Sequence, residues 1–156
     1  RENRVEAGGE KCVFIYNSNK NAFLGNSFSG CDIGVHFTAG SERNRITGNA
    51  FIDNRTQVKY VGTRVLDWSV AGRGNYWSDN AAFDLDGDGL ADSPYRPNDM
   101  MDRVIWAFPM AKLLINAPAV QMLRWAQSTF PAIRPGGVYD SAPLMRPPAP
   151  GEKQDG

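Results

Sequence analysis

The stretch NAFLGNSF at 21–28 returns as NRITGNAF at 44–51, so that Asn21, Phe23, Gly25, Asn26 and Phe28 recur 23 residues later as Asn44, Ile46, Gly48, Asn49 and Phe51. A period of this length is one coil of a β-solenoid, a fold in which each unit buries its apolar face only by stacking on the next. The Gly-Asn pair occurs a third time as Gly74 and Asn75, 26 residues further on, with Trp77 where Phe28 and Phe51 stood. Stacking then places Asn over Asn and aromatic over aromatic.

Working outward, three strand-like runs separate these units. Val13 and Ile15, Val35 and Phe37, and Val58 and Tyr60 share one face by alternation. Cys12 and Phe14, Gly34 and His36, and Gln57 and Lys59 fall on the opposite face, which reads as solvated. Asn and Gly suit the sharp corners because both tolerate positive φ. Asn26, Asn49 and Asn75 are expected to form an internal hydrogen-bonded ladder rather than a ligand site. Residues 63–73 stretch the spacing into a loop or longer coil, where Trp68 is expected to cover the core in preference to a contact role.

Composition excludes some functions. The 156 residues carry 17 basic and 17 acidic side chains, without the basic excess a nucleic-acid binder needs for phosphates. The acids are concentrated locally: residues 79–102 hold seven Asp and one Arg. Two cysteines, Cys12 and Cys31, make neither a disulfide framework nor a CxxC metal site; inert thiols are the expected state, with pairing in an oxidising compartment the alternative. The chain opens at Arg1 within what reads as a repeat (Asn3, Val5, Gly8), as a fragment or processed product would.

The expected organisation is all-β coils of a parallel β-helix over 1–80, an acidic loop over 81–98, a short-helix segment over 99–130 and a Pro-rich extended, mobile tail over 131–156. Pro109 and Pro118 divide the helical segment into 99–108, 110–116 and 118–129. These prolines, with Lys112, Asn116 and Arg124, argue against a membrane span.

The acidic loop matches the opening of a calcium loop. Asp84, Asp86 and Asp88 stand at positions 1, 3 and 5, Gly89 at position 6, the Leu90 carbonyl at 7 and Asp92 at 9, a spacing of hard oxygens suited to Ca²⁺. Tyr95 replaces the bidentate Glu at position 12. The expectation is a calcium-tied loop without a catalytic role.

Glycosidic chemistry needs two aligned acids, and none align: Asp32 and Asp53 differ by 21 residues, Glu42 and Asp67 by 25. No G-x-S-x-G, HExxH or phosphate loop occurs, so no enzyme is expected. Soft-metal candidates are His36, Met100 and Met101, each a poor copper site alone. Met110 and Met122 read as core or interface. Trp106, Phe108, Leu113, Leu114, Val120, Leu123 and Trp125 exceed what capping a coil requires, and are expected to dock on a partner.

GNYWSD at 74–79, DLDGDGLADSPYRP at 84–97, the Gly-Asn coils and the Pro-broken apolar end together resemble the C-terminal part of the NosD family. The resemblance implies the last coils of a right-handed parallel β-helix in the periplasm. It further implies a terminal segment docked on the membrane subunit of an ABC transporter with its ATPase. The role implied is to support copper delivery, with a copper chaperone, to nitrous oxide reductase. The family offers no short copper motif to assign to residues here. A carbohydrate-binding or sugar-cleaving β-helix is the alternative, and it predicts outward aromatics or acids aligned across coils.

Overall fold

The computed structural model describes residues 1–6, 9–62, 64–97, 118, 122 and 137–149. Each 23-residue unit folds as a coil of short strands. The first contains β1 (Arg4–Glu6), β2 (Lys11–Ile15) and β3 (Ala22–Leu24); the second, β4 (Ser27–Ser29), β5 (Ile33–Thr38) and β6 (Arg45–Thr47). The third contains β7 (Ala50–Ile52), β8 (Thr56–Val61) and β9 (Val65–Asp67), and β10 (Tyr76–Trp77) starts a fourth. Equivalent strands pair in parallel, giving sheets β1-β4-β7-β10, β2-β5-β8 and β3-β6. Gly25 and Gly48 take φ of 66° and 64° at equivalent corners, a conformation Gly adopts without steric cost.

Register converts the repeat into a core. Val5, Phe28 and Phe51 align across β1, β4 and β7, and Trp77 follows in β10. Ring centroids lie 5.3 Å apart for Phe28 and Phe51 and 4.3 Å for Phe51 and Trp77, the latter stacked with their planes within 9° of parallel. On the second sheet Ile15, Phe37 and Tyr60 align and are buried. Trp68 packs edge-on against Phe37 and is core, as expected.

The Asn ladder is continuous. The backbone N–H and Nδ2 of each Asn donate to Oδ1 of the next: Asn3 to Asn26 at 3.0 and 3.0 Å, Asn26 to Asn49 at 3.0 and 2.8 Å, and Asn49 to Asn75 at 3.1 and 2.9 Å. Nδ2 of Asn49 and Asn75 also donates to the carbonyls of Phe23 and Ile46, both at 2.9 Å. Buried amides thereby satisfy their hydrogen bonds within the fold.

Three expectations change. Cys12 and Cys31 form a disulfide instead of remaining thiols, because stacking β2 beside the corner before β5 brings their Cα atoms to 5.7 Å. Gln57 is buried instead of solvated: its Nε2 donates to Asp79 Oδ1 at 2.9 Å. Within the tail expected to be mobile, residues 137–149 are tied to the solenoid. β11 (Gly137–Tyr139) pairs in parallel with β9, and Val138, Asp140 and Leu144 are buried. The helical pieces expected over 99–130 lie outside the described residues apart from Pro118 and Met122, both exposed.

Candidate functional site: the acidic loop and the closed end of the solenoid

The ladder ends on a residue outside the repeat. Asn75 donates its backbone N–H to Asp140 Oδ2 at 2.6 Å and its Nδ2 to the same oxygen at 3.3 Å, while the Trp77 indole N–H donates to it at 2.9 Å. Ala142 N donates to Oδ1 at 3.2 Å. An ionised carboxylate only accepts, so it completes a ladder of donors without requiring a further acceptor. Burial raises the Asp140 pKa above the ordinary 3.8, against the opposing pull of the hydrogen bonds from Asn75, Trp77 and Ala142. Gly74 is required beside it, since a Cβ there would lie 1.7 Å from Asp140 Oδ1.

Neighbouring contacts secure the strap formed by residues 137–149. Tyr95 and Asp140 exchange backbone hydrogen bonds at 2.9 and 2.8 Å, so the chain on either side of residues 98–136 meets at one point. Ser141 Oγ donates to Asp67 Oδ2 at 2.7 Å, and Ser69 N to Asp67 Oδ1 at 2.9 Å. Burial opposes the Asp67 carboxylate, yet these hydrogen bonds outweigh it and lower its pKa below 3.8.

The acidic loop rests on this strap: Ala91 N donates to the Pro143 carbonyl at 2.8 Å and Met145 N to the Gly89 carbonyl at 3.0 Å. Gly87 and Gly89, at φ of 77° and 85°, turn their N–H groups onto Asp84 Oδ1 and Oδ2 at 2.7 and 3.0 Å. Asp84, Asp86 and Asp88 each bring an oxygen within 4.8 Å of the others. Of the other two predicted ligands, Asp92 is not part of this trio, and the Leu90 backbone is held against the strap. Asp92 Oδ2 accepts from Leu85 N at 2.8 Å, and Leu90 bridges to Leu144 while its N–H donates to Asp88 Oδ1.

His36 stands apart from this end. Its ring lies 4.8 Å from Phe14, its Nδ1 has no hydrogen-bond partner among the described residues, and burial followed by the charges of Lys59 and Lys11 lowers its pKa. With both cysteines in a disulfide, neither offers a free thiolate to join His36, and the trio of acids is a hard-oxygen set. Met100 and Met101 lie outside the described residues, as do Trp106, Phe108, Leu113, Leu114, Val120, Leu123 and Trp125.

Nor do the outward faces align as the carbohydrate reading requires. Phe14 is followed in register by His36 and Lys59, and Phe37's outward neighbour Thr38 is followed by Val61. Asp32 pairs with Arg55 at 3.6 Å and Glu42 with Arg64 at 2.8 Å, leaving neither as one of a matched acid pair.

The sequence model of the family described as periplasmic copper-binding protein (NosD) matches residues 1–82, more than half of the chain. The chain belongs to the NosD family. Two relatives carry the name probable ABC transporter binding protein NosD. One, from Pseudomonas aeruginosa, is 58% identical over 139 residues, 89% of this chain and 32% of its own length. The other, from Stutzerimonas stutzeri, is 50% identical over 147 residues, 94% of this chain and 34% of its own length. The chain thus spans about a third of these NosD relatives. No helix among the described residues is long and apolar enough to cross a membrane.

Sequence reasoning missed Asp140. Its only sequence signal is the short apolar run before it, Gly137-Val-Tyr, within a Pro-rich context.

Proposed function

We propose that this chain supplies the solenoid end of a non-enzymatic periplasmic scaffold associated with an ABC transporter and supporting copper delivery to nitrous oxide reductase. The observation that carries this reading is the 58% identity to a relative named as an ABC transporter binding protein, within a family described as periplasmic and copper-binding. Residues 99–130 are the segment that docks on the membrane subunit, which works with its ATPase. A copper chaperone brings the cargo. The meeting of Tyr95 with Asp140 supports this assignment, because it anchors both flanks of the 98–136 stretch to the closed end of the solenoid. The disulfide fits an oxidising compartment.

Copper is cargo in this reading. His36, Met100 and Met101 are its candidate transient contacts, and no transfer step is assigned to them. Ca²⁺ on Asp84, Asp86 and Asp88 would relieve their mutual repulsion and tighten the loop, a role supported by three oxygens at mutual distances a single ion can span. A melt with and without Ca²⁺ tests it; no shift removes the calcium assignment. Co-purification with the transporter membrane subunit tests docking, which deletion of residues 99–130 should abolish.

A further inference from the structure

We infer that residues 137–145 stand in for one further coil, and that the end face they cover is a docking surface for the Asn3 edge of a second copy of this chain, which the strap holds closed. This property belongs to the solenoid and does not depend on the transporter role.

The strap repeats the contacts that one coil makes on the next. Asn75 gives its backbone N–H and Nδ2 to Asp140 Oδ2, as Asn49 gives the same two donors to Asn75 Oδ1. Leu144 N donates to the Asn75 carbonyl at 2.9 Å, where Tyr76 N and Ala50 N donate at 2.8 Å to the carbonyls of Asn49 and Asn26. Gly74 N donates to the Ala142 carbonyl at 2.8 Å, and Gly48 N to the Gly74 carbonyl at 2.7 Å. β11 pairs with β9 in parallel and Leu144 bridges Tyr76 in parallel, the sense in which β1, β4, β7 and β10 pair.

The opposite end of the solenoid carries the matching half. Glu2, at φ of 58°, takes the corner held by Gly25 and Gly48, Asn3 takes the ladder position, and β1 follows. Asn3 Oδ1 receives no donor among the described residues, whereas the donors of Asn75 point out of the last full coil. Arg4, Ser27, Ala50, Tyr76 and Leu144 share one register position. With the strap lifted, the second copy's Asn3 Oδ1 therefore fits the place of Asp140 Oδ2, its Arg4 N–H that of the Leu144 N–H, and its β1 extends the sheet beyond β10. Such a contact joins unlike surfaces and repeats head to tail without closing. An uncapped solenoid end and an open strand edge both invite it.

Two features make the strap a stop instead of a further repeat. The ionised Asp140 accepts on both oxygens and has no side-chain N–H to pass on, where an Asn would offer Nδ2. Its outer neighbours run antiparallel, Leu90 against Leu144 and Tyr95 against Asp140, so the parallel register ends there.

Sedimentation velocity on the 156-residue chain tests this. Wild type should remain monomeric as concentration rises. Asp140→Ala with Leu144→Pro removes the ladder acceptor and the strap N–H, and its mass should rise with concentration to about twice the monomer or beyond. Asn3→Ala with Arg4→Pro, added to that variant, should return it to monomer, which would not happen if unfolded chains were aggregating. Leu144→Pro alone keeps Asp140 on its donors and should associate as well, more weakly, so a loss of folding in the double variant does not decide the result. The docking face is ruled out if a folded strap variant stays monomeric, if the association survives the Asn3 and Arg4 substitutions, or if wild type itself forms oligomers that those substitutions abolish.

Discussion

Trp77 donates its indole N–H to Asp140 across 63 residues of chain, joining the last aromatic of the stack to the residue that ends the Asn ladder. Asp140→Ala would leave the Trp77 indole and the Asn75 backbone N–H buried without an acceptor, while Asn75 Nδ2 keeps the Ile46 and Trp68 carbonyls. A loss of about 2–4 kcal/mol is expected in urea unfolding, since each orphaned group retains its desolvation cost. Asp140→Asn should recover part of this only, because an amide turns a donor toward either Ala142 N or the pair from Asn75 and Trp77. An Asp140→Ala variant with wild-type stability would show that the strap is not held by this carboxylate.

Acid should act on two aspartates in opposite directions. Burial raises Asp140 above 3.8, so the folded state binds its proton at higher pH than the unfolded chain, and this group adds stability as pH falls through its folded pKa toward 3.8. Asp67 is lowered, so its contribution is present above 3.8 and lost as pH falls through its folded pKa. Between neutral pH and about 4, the stability of Asp140→Asn should therefore fall more steeply than that of wild type. Below that range, Asp67→Asn should flatten the acid limb. Parallel pH profiles for wild type and Asp140→Asn would contradict the first assignment.

The middle of the ladder predicts a comparable effect. Asn49 accepts from Asn26 and donates to Asn75 while fully buried, so Asn49→Ala orphans groups in two coils. A cost of about 3 kcal/mol is expected, together with faster amide hydrogen exchange in β4 and β10. The exposed Asn19 makes a useful comparison, and Asn19→Ala should be far milder.

Reduction of Cys12–Cys31 opens a link spanning 19 residues. Loop-closure entropy gives about 3 kcal/mol for a loop of this size. Thermal melts with and without reductant should separate accordingly, and thiol titration of the unreduced, denatured protein should find no free cysteine.

Much of the fold was legible because stacking repeats make sequence separation equal spatial adjacency. The offset of 23 residues alone placed Phe28 over Phe51 and Asn26 over Asn49, and alternation put Val35 and Phe37 inside. That advantage stops where contacts leave the period. Asp140 reaches back 65 residues to Asn75, and Val138 pairs with Leu66, neither of which any local pattern encodes. Cys12 and Cys31 meet through the relation of a strand to the next coil's corner, and Gln57 is buried because Asp79 reaches over it. At the candidate site, the spacing of Asp84, Asp86 and Asp88 was enough to bring their oxygens together. It could not show that Asp92 turns toward Leu85 instead of joining them.

The copper content of nitrous oxide reductase tests the central claim most directly. Cells whose only copy of the full-length family protein has residues 99–130 replaced by a Gly/Ser linker of equal length would be compared with wild type, after melts establish that the solenoid is unchanged. Copper-depleted reductase at a normal protein level is the predicted result. Fully copper-loaded reductase in those cells would contradict the scaffold role.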